Sequence, residues 1–345
     1  MNGILQTEIH EQPQVIERLI DEEAVKIQGL AEGLRERFQY VLIAARGTSD
    51  NAARYAQYLF GAHNRLQVAL ATPSLFTLYH HPPRLKGALV VGISQSGQSP
   101  DIIEVVAEGR RQGQPTIALT NDPTSPLAEA AECLIELHAG PERAVAATKT
   151  YTASLAAMAL LSAALAGDEE RLSQLKTIPE MMRIILKEQS KWLGRVERYR
   201  YMDRSTVIGR GYNYSTAFEI ALKIKELTRV ITEPYSSADF RHGPIAMVWD
   251  GFPVILVAPS GSVFADIHQL VAELIDRRAE LLVISDDQHL LEQAQLAMPL
   301  PPGVPEWLTP LVAVLPGQLF GMALAEAKGL NPDLPIGLTK VTETL

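Results

Sequence analysis

The chain carries the same strand–loop–helix plan twice, at an almost constant separation. Residues 40–60, YVLIAARGTSDNAARYAQYLF, read as a short apolar strand, a glycine-containing turn and a helix; residues 205–227, STVIGRGYNYSTAFEIALKIKEL, repeat that order. Arg46-Gly47 is answered by Arg210-Gly211 after 164 residues. Residues 88–122 match 253–287 in the same way, and Asp122 is answered by Asp287 after 165. Two independent landmarks with nearly one spacing indicate an internal duplication, so each copy must be able to form the same domain. Within a copy, near-continuous apolar strands such as ALVVGI (88–93) and PTIALTND (115–122) alternate with helices, and CLIEL (133–137) reads as a fourth strand. That pattern predicts an α/β fold of two tandem domains, each a parallel sheet covered by helices on both faces in a flavodoxin-like three-layer sandwich. The expected boundaries are an N-terminal helical segment at 1–37, amphipathic over 14–37, a first domain at 38–190, a second at 191–330 and a C-terminal tail at 331–345. The proline-rich MPLPPGVPEWLTP (298–310) is expected to be a surface loop.

With 345 residues, 47% of them hydrophobic and only 6% aromatic, the chain can build two ordinary cores rich in Ala, Val, Leu and Ile. The formal charge of −9 argues against nucleic acid or an acidic membrane surface as partners. An anionic small substrate is still possible, provided local donors hold it against the overall field. One cysteine, Cys133, excludes an internal disulfide framework, fits a reducing cytoplasm, and is expected to be a buried structural thiol. The longest apolar stretch is taken to be SLAAMALLSAALAG (154–167). It falls short of the ~20 residues that span a bilayer and predicts a buried helix. The N-terminus, with early acids, carries no export signal, so the expected location is cytoplasmic. No metal site is expected: His80-His81 is followed by prolines, with no carboxylate at useful spacing.

The two copies differ at one informative place. The loop after the second strand reads SQSGQS (94–99) in the first copy and APSGSV (258–263) in the second. In open α/β sheets ligands sit beyond the carboxyl ends of the strands, where helix N-termini offer unpaired N–H groups and partial positive charge. Ser99 suits an N-cap and Pro100 the first helical position. Ser94, Ser96 and Ser99 add hydroxyls, Gly97 lets the backbone approach a ligand, and Thr48 and Ser49 of RGTS (46–49) extend the set. The expectation is a cradle in the first copy that holds a phosphate without lysine or arginine. No G-x-G-x-x-G follows the first strand and no GxxxxGK[ST] occurs, which disfavours dinucleotide and nucleoside-triphosphate binding. No cofactor is expected.

On EIHEQP (8–13), RGTS (46–49), SQSGQS (94–99), VAATKT (145–150), ALKIKE (221–226), FRHGPIAM (240–247) and LTK (338–340), the sequence resembles the double-SIS sugar isomerases. These include the isomerase region of glucosamine-6-phosphate synthase and its stand-alone relatives. The motifs stand in the family's order and span almost the whole chain. The resemblance implies that Gly47, Thr48, Ser49, Ser94, Gln95, Ser96, Ser99 and Ala147 bind a sugar phosphate. It implies that Glu226 is the proton-shuttling base, that Lys223 tunes it, and that His242 opens the sugar ring from the neighbouring subunit of a homodimer. It also implies that Lys340, in a tail that folds over the sugar, contacts the open-chain substrate. Here the tail reads PIGLTK (335–340), without the arginine and asparagine that the family places before its lysine.

Moving hydrogen between C1 and C2 of a sugar phosphate needs a carboxylate base, an acid at the ring oxygen and a donor for the enediolate or enolamine. The residues named above supply all three. The chain starts MNG, directly ahead of EIHEQP, and its one cysteine is Cys133, so no glutaminase domain with an N-terminal cysteine is expected. The expected reaction is therefore conversion of glucosamine 6-phosphate to fructose 6-phosphate and ammonia. Alternatives are a deglycase of 6-phosphofructosyl-amines, the isomerase part of a glucosamine-6-phosphate synthase, and a non-enzymatic sugar-phosphate sensor. A sensor would need no Glu226, His242 and Lys340 together, and no helix-turn-helix module is visible.

Overall fold

The computed structural model describes residues 3–340. By mutual contact they fall into two compact units, one of residues 14–142, 149–177 and 339–340, the other of 3–13, 143–148 and 178–338. Helix Ile4–Leu34, longer at its start than the expected amphipathic stretch, contributes to both.

The first unit holds a five-stranded parallel sheet: β1 (Tyr40–Ala44), β2 (Gln67–Leu70), β3 (Ala88–Ile93), β4 (Thr116–Thr120) and β5 (Cys133–Glu136), in the order β2-β1-β3-β4-β5. Tyr40 pairs with Gln67 on one side and with Ala88 on the other. β3 and β4 are buried along their whole length, which is why they read as unbroken apolar runs. Helix Pro100–Arg111 brings Ile102, Val105 and Val106 onto the sheet beside Leu42, Val90, Ala118 and Leu127. Helices Gly47–Asn64 and Lys149–Ala166 pack together, joined by Asn64 and Ser162, whose hydroxyl donates to the amide oxygen at 2.6 Å. Helix Lys149–Ala166 contains the Ala-rich stretch expected to be buried, and sixteen of its residues are.

The second unit repeats the plan with β6 (Arg204–Gly209), β7 (Ile231–Ser236), β8 (Pro253–Val257), β9 (Glu280–Ser285) and β10 (Leu296–Pro299), ordered β10-β9-β8-β6-β7. Counted from its own first strand, each sheet therefore has the order 2-1-3-4-5. The two α/β sandwiches share the flavodoxin topology that the duplication predicts. Ile208, Val254, Leu256 and Val283 face Ile267, Leu270, Val271 and Leu274 of helix Phe264–Asp276 to make its core.

Two expectations need correcting. The stretch 298–310 is not simply a surface loop: it includes the end of β10 and the short 3₁₀ turn Glu306–Leu308, whose Trp307 and Leu308 are buried. Nor is 154–167 the longest apolar stretch, since Glu306–Ala327 is long and apolar enough to cross a membrane. Its most apolar window is 94% buried within the protein, so it serves as a core helix.

Candidate functional site

A sheet of order 2-1-3-4-5 reverses direction between its first and third strands, and that switch point is where such folds bind ligands. In the first unit the loops leaving β1 and β3 are RGTS and SQSGQS, the two singled out in the sequence. Gly47 (φ 52°) turns the chain from β1 into helix Gly47–Asn64, and its counterpart Gly211 (φ 59°) does the same after β6. Gly97 (φ 64°) makes the corresponding turn in SQSGQS. A Cβ there would lie 2.1 Å from Ser125 Oγ, so only glycine fits.

Ser94 is buried; Gln95, Ser96, Ser99, Thr48 and Ser49 are half-buried. The hydroxyl of Ser94 accepts from the Gly97 amide at 3.2 Å and lies 3.4 Å from that of Ser99. The Gln95 carbonyl accepts from the Asn121 amide, and that of Gly97 from the Leu127 amide, tying the loop to the end of β4 and the helix beyond. Ser99 occupies the N-cap position of helix Pro100–Arg111 with extended backbone, and Pro100 stands at the helix start as expected. Its hydroxyl makes no capping bond, contrary to the sequence expectation, and stays on the loop side.

The sequence predicts a phosphate held without a cation, yet Arg46 stands at this switch point. Its Nε donates to Asp101 Oδ2 at 2.8 Å, and Asp101 Oδ1 accepts from the Ile102 amide at 2.9 Å. The pair links the first residue of RGTS to the second residue of the other helix. In the sequence Arg46 serves only as a landmark of the duplication, and nothing there marks Asp101.

Lys340 also belongs to the first unit. Its Nζ donates to Glu142 Oε2 at 3.0 Å, and the buried Glu142 also accepts from the Thr150 amide and hydroxyl. Glu142 does not stand out in the sequence, because its partners lie 8 and 198 residues away.

In the second unit, helix Asn213–Thr228 carries Glu219, Lys223 and Glu226 on one face, as three-to-four spacing requires. Lys223 is 1% exposed, with Nζ 2.6 Å from Glu226 Oε2 and 3.5 Å from Glu219 Oε1. The Glu226 contact is an ion pair rather than a well-aligned hydrogen bond. Glu219 is fully buried and Glu226 is 24% exposed, so one carboxylate of the row can reach a ligand. Glu226 lines a small pocket with Arg229, Leu330, Asn331, Pro335 and Ile336. His242 follows helix Ser237–Arg241 and is exposed, with its amide donating to the Asp239 carbonyl. Ala147 sits half-buried in the loop 143–148. That loop is pinned by buried Glu8, whose carboxylate accepts from the Arg143 amide at 2.5 Å and the Ala144 amide at 3.2 Å. EIHEQP is legible as a motif, but the anchoring role of Glu8 is not.

The loop after β8 lacks the serines, and its surroundings differ. Asp266 accepts from Arg241 Nη1 at 2.8 Å and from the Ser237 hydroxyl. Burial alone would raise its pKa, but those bonds and the charges of Arg241 and Arg210 outweigh it and hold the carboxyl below its ordinary value.

Cys133 is half-buried rather than buried, and loss of solvation raises its thiol pKa, away from nucleophilic use. Among the described residues no group of three or more His, Cys, Asp or Glu is arranged to hold a metal ion.

The SIS domain model matches residues 38–164 and 201–325. Glutamine–fructose-6-phosphate aminotransferase [isomerizing] of Pyrococcus horikoshii is 32% identical over 338 residues, covering 96% of this chain and 56% of that protein. A protein of that name from Thermus thermophilus is 33% identical over 349 residues, covering 96% and 57%. The chain thus spans a little over half the length of these relatives. Among solved structures, a protein from Silicibacter pomeroyi DSS-3, provisionally described as a phosphosugar isomerase, aligns with TM-score 0.86 at 32% identity, over 96% of this chain and all of that one. The C-terminal domain of glucosamine-fructose-6-phosphate aminotransferase from Francisella tularensis aligns with TM-score 0.86 at 26% identity, over 97% of this chain and 99% of that one. With the family model covering most of the chain in two copies, and with both sheets in one topology, this protein belongs to the SIS domain family.

Proposed function

We propose that this chain converts glucosamine 6-phosphate to fructose 6-phosphate and ammonia. The observation that carries the proposal is the Glu219–Lys223–Glu226 row, in which two buried charges hold a third, partly exposed carboxylate in place. Thr48, Ser49, Ser94, Gln95, Ser96 and Ser99 would bind the phosphate ester, with Gly47 and Ala147 lining the substrate. His242, supplied by a second copy of the chain in a homodimer, would protonate the ring oxygen to open the sugar. Glu226 would then take the proton from C2 and return it to C1. The aldehyde carbon becomes an alcohol and C2 becomes an imine, with no net change in oxidation state. Water adds to that imine, and ammonia leaves to give the ketose. Lys223 would hold Glu226 in orientation, and Lys340 would face the open-chain oxygens.

A second reading is the isomerase part of a glutamine–fructose-6-phosphate aminotransferase. It is favoured by 32–33% identity to proteins of that name across 96% of the chain. The chemistry at C1 and C2 is then the same, run towards the amino sugar.

Incubating the purified chain with glucosamine 6-phosphate and measuring ammonia tests the first reading; fructose 6-phosphate with ammonium tests the second. Release of an amine only from a fructosyl-amino-acid 6-phosphate would replace both with a deglycase. No turnover in any of these, combined with tight binding of the sugar phosphate, would point to a sensor.

A further inference from the structure

We propose that Arg46 is a phosphate-binding residue of this chain and that Asp101 is its positioning residue. The proposal rests on the reading of the first unit's switch point as the sugar-phosphate site. Arg46 ends the β1 loop beside Gly47, while Asp101 opens the helix that follows SQSGQS. Asp101 is fully buried, whereas the Arg46 side chain is 49% exposed. Only Nε of the guanidinium is engaged, by Asp101 Oδ2; among the described residues nothing else bonds this side chain. The two remaining nitrogens therefore stand as a free fork of N–H donors, fixed in plane by the Nε bond. Such a fork matches the oxygens of a phosphate monoester.

Stability does not explain the arrangement. Removing a carboxylate from water is costly, and an ion pair with a half-exposed partner returns little. A ligand that neutralises the free edge of the guanidinium accounts for keeping the pair. The second unit supplies an internal comparison. Arg210 and Asp266 stand 164 and 165 residues after Arg46 and Asp101. There the carboxylate is taken by Arg241 and Ser237 instead, and its side chain is 36% exposed. The Nε-to-carboxylate pair and the serine loop are thus kept in the same half of the molecule.

The test is calorimetric titration of the whole chain with fructose 6-phosphate and with inorganic phosphate, alongside steady-state kinetics. Arg46→Gln should weaken binding of both probes about 10- to 100-fold, the size of a lost charge-assisted contact. KM should rise in proportion, with a much smaller change in kcat. Arg46→Lys should fall between, since an ammonium keeps the charge but cannot serve Asp101 and a phosphate together. Because Arg46→Gln leaves Asp101 buried beside a neutral partner, the Arg46→Gln/Asp101→Asn double variant is measured too; it should fold and bind as weakly as Arg46→Gln. Affinity retained within twofold in both variants, while Thr48→Ala/Ser96→Ala loses it, would overturn the role of Arg46 and leave the functional reading standing. A wild-type chain that binds neither probe would overturn the functional reading itself.

Discussion

Lys223 Nζ lies 2.6 Å from Glu226 Oε2, less than one turn along the same helix, and the lysine is almost completely buried while the glutamate is not. With Glu219 behind them, a single ammonium serves two carboxylates. A buried lysine so placed fixes the direction in which the exposed carboxylate points. That is what a base working on a carbon acid requires.

Glu226→Gln should lower exchange of the sugar's C2 proton with solvent by about 10²–10⁴-fold, the usual contribution of a positioned base. The phosphate affinity should stay within a few fold. Proton exchange in deuterated water, followed by nuclear magnetic resonance, reads the first; calorimetry reads the second. Exchange at the native rate would remove Glu226 from the mechanism.

Lys223→Met should cost about 3–5 kcal/mol of stability, because it takes away the ammonium that lies 3.5 Å from the fully buried Glu219 carboxylate. Adding Glu219→Gln should restore much of that loss without restoring activity. Urea unfolding of the three variants gives the comparison, and a Lys223→Met chain as stable as the wild type would contradict it.

Gly97→Ala forces a side chain onto φ 64° and drives its Cβ into Ser125 Oγ. The left-handed backbone alone costs about 1–2 kcal/mol. Ser125 also caps the helix Pro126–Ala130, accepting from the Ala128 amide, so the clash spreads to the neighbouring loop. KM for the sugar phosphate should rise at least as much as for Thr48→Ala/Ser96→Ala, and the melting temperature should fall. Unchanged kinetics would show that the turn does not shape the cradle.

His63 should make the fold acid-sensitive in a defined window. Burial, helped by the nearby charge of Arg171, lowers its pKa from 6.5 to about 4. Above pH 6.5 the residue is neutral in both folded and unfolded chains, and its contribution is fully present. As pH falls from 6.5 towards 4, the unfolded chain takes up a proton that the folded chain does not, so stability declines; below about 4 that decline levels off. The side chain is half-buried, so solvent screening moderates the slope. His63→Gln should flatten the dependence between about pH 4.5 and 6.5 in urea titrations. An equal slope in both proteins would assign the acid sensitivity elsewhere.

How legible each part was follows from where its partners lie. β3, β4, β8 and β9 are buried on both faces, so their apolar runs stand out in the chain itself. β2, β7 and β10 are edge strands: QVAL alternates in exposure, ITEPYS contains Pro234 and LAMP ends on Pro299. Proline is tolerated at sheet edges but looks like a loop signal in isolation, which is why β7 and β10 do not show in the sequence; β2 is short and only half-buried, with no long apolar run to mark it. Ser99 shows the converse limit. Its residue type and position announce a cap, yet its hydroxyl lies 3.4 Å from that of Ser94 instead.

From residues in order alone came the duplication, the parallel α/β architecture, the loops that meet at the switch point, and the helix bearing Lys223 and Glu226. All of these depend on local periodicity or on the spacing of short motifs, which a chain displays without being folded. The Arg46–Asp101 pair, the pinning of loop 143–148 by Glu8, and the Glu142–Lys340 contact needed the tertiary structure. Their partners lie 55, 135 and 198 residues apart. Charges so distant in sequence meet only once strand order and helix packing have set which chain segments are neighbours. The same packing leaves one carboxylate of the buried row partly exposed and closes off the other.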